Sequence, residues 1–201
     1  MKRKLIWVLI FSLLLMLLPI ISSAEETGEM EIASERVEGA VGDMVKVDFY
    51  CYANLPEGQK LDSITGMIKY DPEILTIGAI VQTDEEANLT SFMIGKFSSP
   101  FVSNFDKENG IIKFVYIDAY GVDANGFWFQ AEFRIEKEGA TDFIFNGITY
   151  TGLITGTNED GKTSYKSVSY TIEPRSVGGV YTAGESVPTD TVVDETFAPL
   201  T

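Results

Sequence analysis

The chain of 201 residues contains no histidine and only one cysteine. Without an imidazole, neither a histidine-based nucleophilic triad nor a His-ligated metal site can be assembled. A single thiol cannot close an internal disulfide. Cys51 also falls on the apolar side of Val45-Val47-Phe49-Cys51, which predicts a buried, inert thiol. Bases are scarce as well, at 15 Lys+Arg against 30 Asp+Glu. Such a surface repels nucleic acid and anionic lipid, so neither is expected as a partner. Helical periodicity is nearly missing, and the only long hydrophobic run lies at the N-terminus.

That run has the form of an export signal. Lys2, Arg3 and Lys4 precede an apolar stretch from Leu5 to Ile21, Pro19 interrupts it, and Ser22-Ser23-Ala24 offers small residues for cleavage. The alternative is an uncleaved anchor, since the run approaches the length of a short span. Residues 1–24 are read as a signal peptide. No stable membrane insertion is expected once it is removed. The remaining chain carries 12 Lys+Arg against 30 Asp+Glu, a formal charge of −18. A secreted or cell-surface protein that forms no internal disulfide suits an anaerobic or Gram-positive bacterial surface.

Beyond the signal, short alternating segments recur between turn signals. Ser63–Tyr70 places Ile64, Gly66, Ile68 and Tyr70 on one side and Ser63, Thr65, Met67 and Lys69 on the other. Asp71 can accept turn N–H groups, and Pro72 has none to donate, so the strand stops there. Val45–Tyr52, Leu75–Val81, Ile111–Asp118, Phe127–Glu136, Thr141–Phe145, Gly147–Gly152 and Tyr165–Ile172 alternate in the same way. Asn109-Gly110 marks a hairpin. Phe92–Phe105 is ambiguous, broken by Ser98-Ser99-Pro100. The pattern predicts an all-β sandwich of about nine strands over residues 25–174. Residues 175–201, with paired glycines and scattered threonines, read as a linker or flexible tail, with room for one strand at Val180-Tyr181.

Four of these segments, in order, resemble the cohesin family. They are Val41-Gly42-Asp43-Met44-Val45-Lys46-Val47-Asp48, Tyr70-Asp71-Pro72-Glu73-Ile74-Leu75, Asn109-Gly110-Ile111-Ile112-Lys113-Phe114-Val115-Tyr116, and Gly126–Ile135. Together they span roughly residues 29 to 174. The resemblance implies a nine-stranded jelly-roll sandwich that docks dockerin-bearing enzymes or scaffoldins through one flat sheet face. Carried onto this sequence, that face comprises Ser63, Thr65, Met67 and Lys69 on one strand and Lys113, Val115 and Ile117 on its neighbour. Asp118, Tyr120 and Gly121 are expected in the loop just beyond. Met67, Val115 and Ile117 would form a desolvated centre, with Ser63, Thr65 and Asp118 supplying hydrogen bonds at its rim. Related modules often carry Asp where Thr65 stands, and the loop from Gly121 to Gly126 is short, which implies a different dockerin preference. No cofactor is implied for this chain, because calcium belongs to the dockerin.

No catalytic residues and no metal ligands are assigned. The acids are plentiful but lie in no recognisable pair, and the acidic turns Asp106–Asn109 and Asn158–Asp160 lack EF-hand spacing. The rival reading is a carbohydrate-binding or Ig-like adhesin module, with polysaccharide as ligand. By alternation Trp128 would be its exposed stacking ring, with Tyr120 and Phe127 nearby. A spacer without a ligand is the third possibility, and it predicts no exposed apolar patch.

Overall fold

The computed structural model describes residues 29–94 and 101–183. The signal peptide, the Ser98-Ser99-Pro100 interruption and residues 184–201 lie outside them. The described residues hold no helix, and so none long and apolar enough to cross a membrane. Strands β1 (Glu29–Ser34), β3 (Met44–Asn54), β10 (Asn125–Ile135) and β5 (Leu75–Val81) form one sheet in the order β1-β3-β10-β5. The second sheet runs β2-β13-β11-β4-β9-β8, from β2 (Arg36–Gly39), β13 (Arg175–Thr182), β11 (Ala140–Thr157), β4 (Gln59–Lys69), β9 (Ile111–Val122) and β8 (Phe101–Asp106). Strand β12 (Thr163–Ile172) pairs with the C-terminal half of β11. A two-stranded ribbon, β6 (Thr83–Asp84) and β7 (Leu89–Thr90), follows β5. The architecture is the expected all-β sandwich.

The inward residues follow from period two wherever the ladders are regular. Val45, Val47, Phe49 and Cys51 on β3 face Ile64 and Ile68 on β4, Ile112, Phe114 and Tyr116 on β9, and Phe143 and Phe145 on β11, all buried. Aromatic rings fill the middle. Phe49 meets Phe129 at 4.9 Å and Phe143 edge-on at 5.3 Å, while Trp128 stands perpendicular to Phe114 at 5.1 Å. Such pairs add roughly 0.5–1.5 kcal/mol each beyond the area they bury. Cys51 is fully buried, and burial pushes its thiol pKa well up, as expected for an inert side chain.

The turns behave as their residues dictate. Asp71 accepts the Glu73 N–H at 2.8 Å through its side chain and the Leu75 N–H at 3.0 Å through its carbonyl, so one tight turn drops Leu75 into the core. Gly110 takes φ +60°, closing the hairpin after Asp106, whose carboxylate accepts the Asn109 N–H and side-chain amide. Asn158 closes the second acidic turn by accepting the Lys162 N–H at 2.8 Å. Both acidic segments are hairpin turns. Among the described residues, no group of three or more carboxylate or thiol side chains gathers as a metal site.

Two expectations need correction. The domain does not end at residue 174, because Arg175–Thr182 is a full strand. It lies antiparallel to β11 and parallel to β2, with Val180 buried. Gly178 and Gly179 adopt φ +53° and +152°, and the β11 register shifts opposite them, so the glycine pair forms a bulge rather than a linker. Trp128 is the second. It is fully buried, since β10 shifts register against β3 between Phe127 and Phe129. The extra residue turns Trp128 inward beside Phe129, and its indole N–H points at the Met93 sulfur 3.0 Å away. Phe127 is buried too, edge-on to Tyr50 at 6.1 Å.

Candidate docking face

The register of β11, β4, β9 and β8 arranges the outward side chains of the larger sheet in four cross-strand rows. They read Ile144–Lys69–Ile111–Asp106, Asn146–Met67–Lys113–Asn104, Thr149–Thr65–Val115–Val102, and Thr151–Ser63–Ile117. All seven strand residues expected on the face, Ser63, Thr65, Met67, Lys69, Lys113, Val115 and Ile117, are therefore brought together. Sequence reasoning omitted the flanking strands. Ile144 (43% exposed) and Val102 (57%) extend the apolar surface that Ile117 (54%) begins. Alternation within Thr141–Phe145 already sets Ile144 opposite Phe143 and Phe145, so that signal was available. Val102 was hidden in the segment broken by Ser98-Ser99-Pro100.

The hydroxyl end of the face is internally bonded. Ser63 and Thr151 hydroxyls lie 2.7 Å apart, Thr151 donates to Asp62, and Ser167 donates to the other Asp62 oxygen at 2.9 Å. Asp62 is the extra residue of β4 where it shifts register against β11, and it accepts from both β11 and β12. Ser63 is thus held in a fixed network with Thr151, Asp62 and Ser167.

Asp118, Tyr120 and Gly121 differ from expectation in position. They lie within β9, which continues to Val122, and not in a loop after it. Asp118 continues the inward series Ile112, Phe114, Tyr116 and is buried, accepting the Tyr120 N–H at 2.7 Å. The Tyr116 hydroxyl points to its other oxygen at 3.4 Å. Asp118 orders the chain beside the face instead of offering a carboxylate at the rim. Between Ile117 and Val122, β9 spends four residues opposite Asp62 alone, and Gly121 at φ +70° permits that excursion. Tyr120 is 63% exposed at its crest.

The outer face of the smaller sheet is built differently. Gln130 there is buried, and its amide donates to Asp48 at 2.9 Å and to Asp84 at 3.1 Å. Asp84 in turn accepts the Glu86 and Ala87 N–H groups, and Lys46 pairs with Glu86 at 3.3 Å. This clamp lays residues 84–87 over β10. Burial first, and the Asp48 charge second, raise the pKa of both Glu35 and Tyr50. That face is polar, acidic and partly covered. The larger sheet offers the open, weakly charged one.

No protein-family model matches the sequence, and neither does any curated protein. Solved structures do match. A type I cohesin from Pseudobacteroides cellulosolvens aligns with a TM-score of 0.52 at 18% identity, covering 81% of this chain and 96% of that one. A cohesin of Acetivibrio cellulolyticus, solved in complex with a dockerin, aligns at 0.52 and 17% identity over 77% and 99% of the two chains. A Clostridium thermocellum cohesin–dockerin complex aligns at 0.50 and 16% identity over 76% and 98%. The fold is that of the cohesins.

Proposed function

We propose that this protein is a non-catalytic docking module that binds dockerin-bearing enzymes or scaffoldins in an extracellular, polysaccharide-degrading assembly at a bacterial surface. The observation that carries this reading is the outer face of β11-β4-β9-β8. It combines exposed Val102, Ile117 and Ile144 with half-buried Val115, Met67 and Thr65. A flat apolar centre with hydroxyl neighbours is the composition of a protein interface core. The cohesin fold supports the choice of partner, as does the export signal read from residues 1–24. A sugar-binding reading loses its main residue with Trp128 buried. Calcium is assigned to the dockerin and none to this chain.

The test is calorimetric titration of protein exported from a host expressing all 201 residues, against a panel of dockerins in calcium and again in EDTA. One-to-one binding that EDTA abolishes supports the reading. Silence across the panel refutes it.

A further inference from the structure

The docking face is electrostatically unlike the rest of the molecule. Residues 25–201 carry 30 acids against 12 bases, yet the outward positions of the four rows hold two lysines and a single acid. Lys69 and Lys113 are diagonal neighbours, since Lys69 pairs with Ile111 and Lys113 lies two residues further along the same face of β9. Diagonal positions lie roughly 7–8 Å apart. Both side chains are exposed. Neither takes part in an ion pair or a side-chain hydrogen bond among the described residues.

Three of the acids around the rim are already engaged within the chain. Asp106 is held by the Asn109 amide at 3.1 and 3.0 Å, Asp62 accepts Thr151 and Ser167, and Asp142 accepts the Ser176 hydroxyl at 3.0 Å. Glu108 stands on the hairpin turn beside Lys113, with Lys107 next to it. The two ammonium groups are thus the unpaired cations of the face, and they sit together at one end of it. A partner that covered them without supplying opposite charge would strip their hydration with nothing in return.

We propose that Lys69 and Lys113 form a cationic clamp that selects a partner module carrying paired carboxylates, and that the clamp fixes which end of the partner lies over the Ile144 row. This rests on the docking reading above. The partner's surface is then asymmetric, acidic over Lys69 and Lys113 and uncharged over Thr149, Thr65, Val115, Ser63 and Ile117. In a chain of such negative charge the clamp also discriminates, since a basic partner surface gains from the molecule's overall field but is repelled here.

The experiment compares wild type, Lys69→Gln/Lys113→Gln and Lys69→Glu/Lys113→Glu in titrations against dockerins with and without adjacent acidic residues on their docking helices. Circular dichroism melts check that the exposed substitutions leave the fold intact. The clamp predicts that the wild type prefers the acidic dockerins. It also predicts about a tenfold loss of their binding for the Gln pair and at least about a 100-fold loss for the Glu pair. Raising salt from about 0.05 M to about 0.5 M should weaken the wild type and hardly affect the Gln pair. Dockerin binding that is unchanged in the Glu pair, yet lost on Val115→Asp, overturns the clamp and leaves the docking face standing. If no dockerin binds the wild type, the docking reading fails and the clamp with it.

Discussion

Replacing Gln130 by glutamate tests why only one of the two sheets is open. The Gln130 amide nitrogen lies 2.9 Å from an Asp48 oxygen and 3.1 Å from an Asp84 oxygen. The two carboxylates are therefore bridged by one neutral donor in a buried position. A glutamate at the same place removes both charge-assisted hydrogen bonds and adds a third negative charge. At an effective dielectric near 20 and a separation of about 5 Å, each like-charge pair is worth about 3 kcal/mol. Asp48 is only half-buried and Lys46 stands nearby on Glu86, so solvent and that ammonium offset part of the total. A net loss of about 3 kcal/mol at pH 8 is expected, which for a domain of this size lowers Tm by roughly 6–12 °C. The sign with pH is fixed by the repulsion. The introduced carboxyl would have a raised pKa in the fold, so its neutral form is favoured there. The penalty is therefore present at high pH and relieved as pH falls through the raised value. Thermal melts followed by circular dichroism at pH 8 and pH 5 read both effects. A variant melting within about 2 °C of wild type at pH 8, or losing as much at pH 5, would refute the Gln130 bridge. Because that bridge faces away from β4 and β9, the folded variant should bind dockerin as wild type does.

Val115→Asp, at the centre of the docking face, should abolish dockerin binding by at least about 100-fold while costing only about 1 kcal/mol of stability. Calorimetry and a melt on the same sample separate the two, and unchanged affinity in the folded variant removes β9 from the interface. Cys51 gives a pH signature. Its thiol pKa is raised in the fold above an ordinary value near 8.5, so the thiol's contribution is fully present below that pH and is lost as pH rises above it. Stability should fall by up to about 1.4 kcal/mol per pH unit beyond pH 8.5. Cys51→Ala should flatten that slope in denaturant titrations, and an equal slope in the variant would point to another group. Tyr150, pushed up to about 12 chiefly by burial, adds a similar fall only above pH 10. Gly110→Ala should cost at least about 2 kcal/mol. The residue sits at φ +60°, and a Cβ there collides with the Tyr70 carbonyl oxygen and approaches Pro72 Cδ to 2.9 Å. A denaturant midpoint close to that of wild type would show that the hairpin relaxes around it.

The sequence reveals regular strands and conceals bulges. Ser63–Lys69 and Ile111–Ile117 alternate without interruption, and their outward residues meet as expected because nothing shifts their mutual register between Ser63 and Lys69. Trp128 was misplaced because a bulge adds one residue, and period-two counting carried across it assigns the wrong face. Asp118 is a different case. Its parity with Ile112, Phe114 and Tyr116 already pointed inward, and the surface role came from the family resemblance, which placed it in a loop beyond the face. A buried carboxylate is tolerated there because a backbone N–H and a tyrosine hydroxyl face it. Arg175–Thr182 resembled a linker since Gly178-Gly179 erases alternation, and the pairing that orders it is supplied by β11 and β2, far away in sequence. Alternation set Ile144 outward, but that Ile144 and Val102 flank β4 and β9 on one face follows from lateral pairing, a relation between strands that a one-dimensional pattern does not contain.

Carbene footprinting of the chain, free and saturated with a dockerin that binds it, tests most directly whether the partner sits on the outer face of β11-β4-β9-β8. Val102, Val115, Ile117 and Ile144 should lose labelling in the complex, while Met44, 58% exposed on the opposite sheet, keeps it. Protection of Met44 with the four others still labelled would contradict the account.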